Sequence, residues 1–233
     1  MKKIIYSIMT FLFVLSLGTN VVNASEKGKN TDKTQIVSNT FIQLCDEFFE
    51  DNTMFEVLDT NGNNISDIFY SENLNNYQNN NYLSIYIYFR KNVDVLKKNT
   101  ISNEDNINAR NAIKTKKYSY WFYKLDKSGG STPDFEIQYE ISGSYKYNAN
   151  TGKITSATTP SFNVLYCSLS GLWSYQTTNV KTNAKIASDN YSMTASCSFN
   201  LDSYLSIPVA AWSYNRKMET FGPYTGSKKY TAE

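Results

Sequence analysis

Between residues 135 and 201 apolar and polar side chains alternate in three separate runs. Phe135, Ile137, Tyr139 and Ile141, continued after Gly143 by Tyr145 and Tyr147, make the first run. Phe162, Val164 and Tyr166 make the second, and Met193, Ala195, Cys197, Phe199 and Leu201 the third. A pleated strand turns successive side chains to opposite faces, so each run reads as a strand with one buried side. Residues 118–124 add an aromatic strand and residues 180–186 another. Gly129, Gly130 and Pro133 mark a loop over 127–133, Thr151-Gly152 a hairpin turn over 148–153, and Ser188-Asp189-Asn190 a further turn. Residues 171–178 read as a loop that places Trp173 at one end of the sheets. Residues 205–214, with Pro208 and Trp212, read as an edge strand, and 218–221 close the array before Gly222-Pro223. About seven short half-polar strands at this spacing predict a two-sheet sandwich over 116–233.

Upstream the period changes. Val37, Phe41, Leu44, Cys45 and Phe48 fall at spacings of three and four, one helical stripe over 33–49 with Thr31 or Asp32 as its cap. Asp46, Glu47, Glu50 and Asp51 lie off that stripe and read as a solvated acidic face rather than a cation site. Residues 82–96 carry both strand and helix signals; the helical spacing of Leu83, Ile87, Arg90 and Asp94, followed by Lys97 and Lys98 as a basic C-terminus, decides for helix. Residues 99–115 are polar and aperiodic, and read as a linker between a helix-rich 33–98 and the sandwich. The expected class is α+β: a mainly antiparallel C-terminal β-sandwich with a small helical N-terminal region.

The first residues change the charge balance. Lys2 and Lys3, an apolar run over 4–17 and the small residues Val22 and Ala24 describe a secretory signal peptide over 1–24, followed by a polar, disordered lead over 25–32. The apolar run is interrupted by Ser7, Thr10 and Ser16, and no later run approaches spanning length, so the expectation is a secreted, extracellular protein with no transmembrane span. Removing 1–24 takes two of the 23 basic residues and none of the 21 acids, leaving a formally neutral chain. A neutral chain without a basic stripe offers no electrostatic case for nucleic acid.

Histidine is absent from the whole sequence, which removes Ser-His and Cys-His pairs, histidine bases and the usual zinc sets. Three cysteines are too few for a disulfide framework. Cys167 and Cys197 read either as a bridge across neighbouring strands or as buried thiols, and the sequence leaves both open.

One stretch has metal-loop spacing. Asp59, Asn61, Asn63 and Asp67 set oxygen side chains at positions one, three, five and nine, as in a calcium loop, but only two are charged, and Asn64 stands where glycine makes the turn. The plainer reading is an Asn-Gly turn followed by a helix capped by Asn64 or Ser66. Ca²⁺ is the one cofactor the sequence raises.

Residues 55–73 (FEVLDTNGNNISDIFYSEN) and 139–164 (YEISGSYKYNANTGKITSATTPSFNV) resemble a loose group of small exported proteins of Gram-positive bacteria. That resemblance covers most of the chain beyond residue 24 and implies a short helical piece followed by a β-sandwich. The group has no assigned activity, so the resemblance implies no catalytic residue.

Three functions compete. With 19 Tyr and 3 Trp, the chain reads first as a non-catalytic module binding a surface glycan or protein, through Tyr118, Tyr120, Trp121, Trp173, Tyr175 and Trp212. The alternatives are a glycosidase driven by two carboxylates, for which no motif marks a pair, and a pore-forming or bacteriocin-like toxin built on the alternating strands.

Overall fold

The computed structural model describes residues 37–104, 112–127, 130–209 and 212–231. The expected signal peptide (1–24) and polar lead (25–32) lie outside these residues. Three helices come first: α1 (Asn39–Glu50), α2 (Ser66–Gln78) and α3 (Tyr82–Asn92), with a 3₁₀ turn (Asn52–Met54) and β1 (Phe55–Leu58) between the first two. The rest is strand: β2 (Val95–Glu104), β3 (Ile113–Asp126), β4 (Phe135–Asn148), β5 (Lys153–Ala157), β6 (Ser161–Cys167), β7 (Trp173–Ile186), β8 (Ser192–Val209) and β9 (Trp212–Thr231). Every pairing is antiparallel. The class is α+β, mainly a β-sandwich.

Two sheets divide the strands. One runs β1-β2-β3-β4-β5 with β6 also on β4; the other is the meander β7-β8-β9. The first sheet is the middle of three layers. Its inner face meets the β7–β9 sheet in a core of Tyr120, Phe122, Ile137, Tyr139, Met193, Phe199 and Tyr224, among others. Its other face meets the helices in a second core of Phe41, Phe48, Phe55, Phe69, Phe89 and Tyr123. Edge-to-face rings dominate there, such as Phe41–Tyr86 at 5.0 Å and Phe48–Phe69 at 5.2 Å between centroids.

Several boundaries differ from the sequence reading, each for a physical reason. Residues 99–104 are not linker: they continue β2, whose hydrogen bonds to β3 outweigh a polar, aperiodic sequence. Residues 105–111 lie outside the described set. The helical segment therefore lends β1 and β2 to the sandwich's own sheet, and Lys97 and Lys98 are strand residues rather than a helix end. α3 stops at Asn92, its predicted helical character intact. Ser38, not Thr31 or Asp32, caps α1 by accepting from the Phe41 amide at 3.0 Å. No side chain caps α2; Asn64 accepts from the Ser66 amide and hydroxyl one turn earlier, and Ser66 Oγ accepts from the Val57 amide.

Trp173 opens β7 instead of sitting in a loop, because it pairs with Leu205. The edge strand expected over 205–214 is the end of one long hairpin, β8–β9. Cys167 and Cys197 are free thiols on different sheets, one beside Ile137 and the other beside Thr182. The acids of α1 are not merely solvated: Asp46 accepts from the Tyr82 hydroxyl at 2.7 Å and Glu47 pairs with Lys98 at 2.8 Å. Among the described residues no helix is long and apolar enough to cross a membrane.

Candidate functional site

β4 changes partners along its length. β6 pairs with it up to Ser142 and β5 from Tyr145 onward, which leaves a notch at Gly143 and Ser144. Thr158 closes the notch by donating its amide to the Ser144 carbonyl at 2.9 Å, while its hydroxyl accepts from the Ser144 amide at 3.0 Å. Around this notch lies a cleft of about 410 Å³.

Its floor follows from register. Thr100 pairs with Ser119, Ser119 with Ser142, and Ser142 with Ser161, so four hydroxyl side chains stand in one row across β2, β3, β4 and β6. Strands lie about 4.8 Å apart, so the row spans roughly 14 Å. All four line the cleft, with Ser144, Thr158 and Lys117. The next row toward the helices is Lys98, Trp121, Glu140 and Asn163. Ser119 donates its hydroxyl to Glu140 there.

Tyr118 and Gly143 line the same cleft. The Tyr118 ring is buried, and its hydroxyl has no hydrogen-bond partner. That hydroxyl lies over Gly143: a Cβ on this residue would sit 2.6 Å from it. Glycine is thus what lets the phenol reach the notch. Burial pushes the phenol's pKa up to about 12, so it stays a neutral donor at physiological pH. A buried polar atom without a partner is uncommon; this one has almost no exposed surface, and Tyr118 lies on the sandwich face of β3, opposite the face that carries Ser119.

Of the six aromatic residues expected to form a ligand face, the five whose side chains are described do not converge. Tyr118 joins the cleft through its hydroxyl, not through an exposed ring. Tyr120 is core: it is 1 % exposed, and its hydroxyl reaches Glu56 at 3.4 Å. Trp121 is half-buried, with Phe55 at its edge and the Lys98 ammonium 5.7 Å from its ring. Trp173 packs half-buried on the sandwich core, and Tyr175, 37 % exposed, lies two residues along β7. The backbone of Trp212 pairs with Val209; its side chain is outside the described set. The expectation failed for Tyr120 because β3 is a central strand covered on both faces, where aromatic residues serve packing.

Residues the sequence reading passed over make the floor instead: Thr100, Ser119, Ser142, Ser144, Thr158 and Ser161. Their signal was available in Ser142-Gly143-Ser144, a small polar interruption in an otherwise apolar alternation.

The calcium-type loop is a self-satisfied turn. Asp59 accepts from the amides of Asn61 and Asn63, both at 2.8 Å, and from the Asn63 side chain at 3.0 Å. These bonds, the Asn63 side chain's first, hold the Asp59 carboxyl below its ordinary range. Gly62 supplies the positive φ (81°) that the turn needs. Asp67 stands apart, exposed in the first turn of α2. Among the described residues no three acidic or thiol side chains gather as metal ligands.

A second cleft, of about 320 Å³, holds two carboxylates. Asp94 is paired with Lys124 at 2.8 Å, and Asp126 accepts from the Tyr224 hydroxyl at 2.6 Å. Both acids are tied into the joint between β2–β3 and β9. Compared with known proteins, the chain matches no family model, no curated protein and no solved structure.

Proposed function

We propose that the protein is exported and works outside the cell as a non-catalytic β-sandwich module that binds a hydroxyl-rich surface polymer, a glycan, in the notch cleft. The observation that carries this reading is the row of four hydroxyls across β2, β3, β4 and β6 that lines the cleft. A hydroxyl both donates and accepts, so such a row matches a ligand whose own edge is a series of hydroxyls. Glu140, engaged by Ser119, is the carboxylate beside the floor, whereas glycoside hydrolysis takes two across the bond. The geometry therefore favours holding a polymer over cutting it.

Retention of the mature protein on purified cell-wall polymers and on a glycan array tests the proposal. Binding by the wild type, weakened about three- to tenfold in Ser142→Ala, is the expected result, since one hydrogen bond contributes about 0.5–1.5 kcal/mol. A wild type that retains no glycan sinks it. Retained ligand that is released as shortened product would return the glycosidase reading, with Asp94 and Asp126 as the acids to change first.

A further inference from the structure

The apolar side of β8 does not stop where the opposing sheet stops. Met193, Ala195, Cys197, Phe199 and Leu201 are buried against the β1–β6 sheet. Ser203 follows on the same side, closed over by the Thr132 hydroxyl at 2.9 Å. Beyond it Leu205 is half-buried and Ile207 is 45 % exposed. β7 ends at Trp173, level with Leu205, so past this point β8 and β9 form a two-stranded ribbon on their own. Ile207 pairs with Tyr214, which is 52 % exposed, and the two share a face because directly paired residues do. The other face carries Ser206 beside Asn215 and Pro208 beside Ser213. An isolated two-stranded ribbon is marginal in water, and an uncovered apolar face on one marks a contact surface.

We infer that the face of the β8–β9 ribbon carrying Ile207, Tyr214 and Arg216 docks onto the interface of an anionic lipid bilayer. Charge and order along the ribbon decide the occupant. Residues 204–217 (YLSIPVAAWSYNRK) contain no acid and two cations. Lys217 is paired with Asp202 at 2.7 Å, and Arg216 is exposed. Arg216 pairs with Leu205, so it shares the face of Ile207 and Tyr214, two residues nearer the sandwich and roughly 7 Å further from the tip. Aliphatic side chain and phenol thus share the outer level and the guanidinium lies one level behind them, as the apolar side of a leaflet's interface and its phosphates do. A second copy docked face to face would bring two acid-free cationic ribbons together. The polar lead over 25–32 has no apolar residue beyond Ala24 to lay on the face.

The test uses the mature protein with large vesicles of phosphatidylcholine alone or mixed with phosphatidylglycerol, read by co-sedimentation. The wild type is expected to pellet with the anionic vesicles, less so as salt rises. Arg216→Gln should weaken partitioning roughly fivefold, as one cation at an anionic surface is worth. Ile207→Ser with Tyr214→Ser should weaken it about tenfold or more, with an unchanged melting temperature because both positions are exposed. Ser142→Ala should leave it unchanged, which separates this surface from the glycan cleft. Hydrogen exchange on the wild type alone should show new protection of 204–209 when anionic vesicles are added. A wild type that ignores anionic vesicles, variants that bind as well as it does, or ribbon protection that depends on protein concentration instead of lipid would overturn the inference.

Discussion

β3 and β8 are both long, both antiparallel and both paired on each edge, yet only one of them has a wet side. β8 buries Met193, Ala195, Cys197, Phe199 and Leu201 and leaves Thr194, Ser196 and Ser198 half-exposed between them. β3 sends Tyr118, Tyr120 and Phe122 into the sandwich and Tyr123 and Leu125 under the helices, so its core stretch has no side to give to water. Alternation in a sequence therefore reports the coverage of a strand, not its existence. The two sheets differ in what they can offer a ligand as well. On the β7–β9 sheet the uncovered surface is a whole face, whereas on the central sheet it is the strip beyond the helices, and that strip is where the hydroxyl row lies.

The largest expected effect tests this directly. Phe122 and Tyr123 are adjacent, both fully buried, and face opposite cores. Phe122→Ala and Tyr123→Ala should each cost about 3–5 kcal/mol in urea unfolding. On β8 the same pair of neighbouring changes should split: Phe199→Ala about as costly, Ser198→Ala within about 0.5 kcal/mol of wild type. A mild Tyr123→Ala would mean the helices do not cover the central sheet in solution, and the three-layer description would fall.

That contrast explains what the sequence made legible. The runs over 135–147 and 193–201 were readable as strands because one side of each pairs apolar with polar at every step. The helix over Asn39–Glu50 was readable because its stripe is one-sided too. β2 was not, since Asn99, Thr100 and Ser102 carry no apolar rhythm and owe their strand state to their pairing with β3. The site was half-legible for a related reason. Tyr118 was picked out as an aromatic for a ligand face, whereas its ring is core beside the notch, and nothing local shows that β5 and β6 share β4 and leave a notch at Gly143. Such facts belong to pairing over long separations.

A smaller effect is expected where the two sheets press together most closely. A Cβ on Gly226 would sit 2.3 Å from the Phe122 ring. Gly226→Ala should cost about 1–3 kcal/mol by overpacking, and Phe122→Leu should recover part of it in a double-mutant cycle. Additive losses would show that the sheets separate to admit the methyl group, and that the packing between them is looser than that beneath the helices.

Two buried phenols in the same core should then respond differently to losing their oxygen. The Tyr145 hydroxyl donates to the Thr231 carbonyl at 3.0 Å, so Tyr145→Phe should cost about 0.5–1.5 kcal/mol. Tyr118→Phe removes a hydroxyl that holds no partner in the free protein, and its melting temperature should not fall. If Tyr118→Phe is as destabilising as Tyr145→Phe, the phenol is already satisfied in the folded protein.

The subtlest prediction concerns Glu136, a carboxylate buried under the helical layer. Glu136 faces the start of α1, where the Ser38 hydroxyl donates to it at 2.5 Å. Burial raises its pKa above the ordinary carboxylate value, against the lowering effect of the Ser38 and Tyr123 hydroxyls. A group whose native pKa lies above its unfolded one binds more protons when folded. Its contribution to stability is therefore complete below the unfolded value near 4.5 and is lost as pH rises through the native value. Glu136→Gln keeps an acceptor for Ser38 without the charge. The variant should match wild type at low pH and become the more stable of the two as the medium approaches neutrality. Urea midpoints across that range would show it. A variant less stable than wild type at neutral pH would mean that the ionised carboxylate itself anchors α1, and that the helix-side core tolerates charge better than its aromatic packing implies.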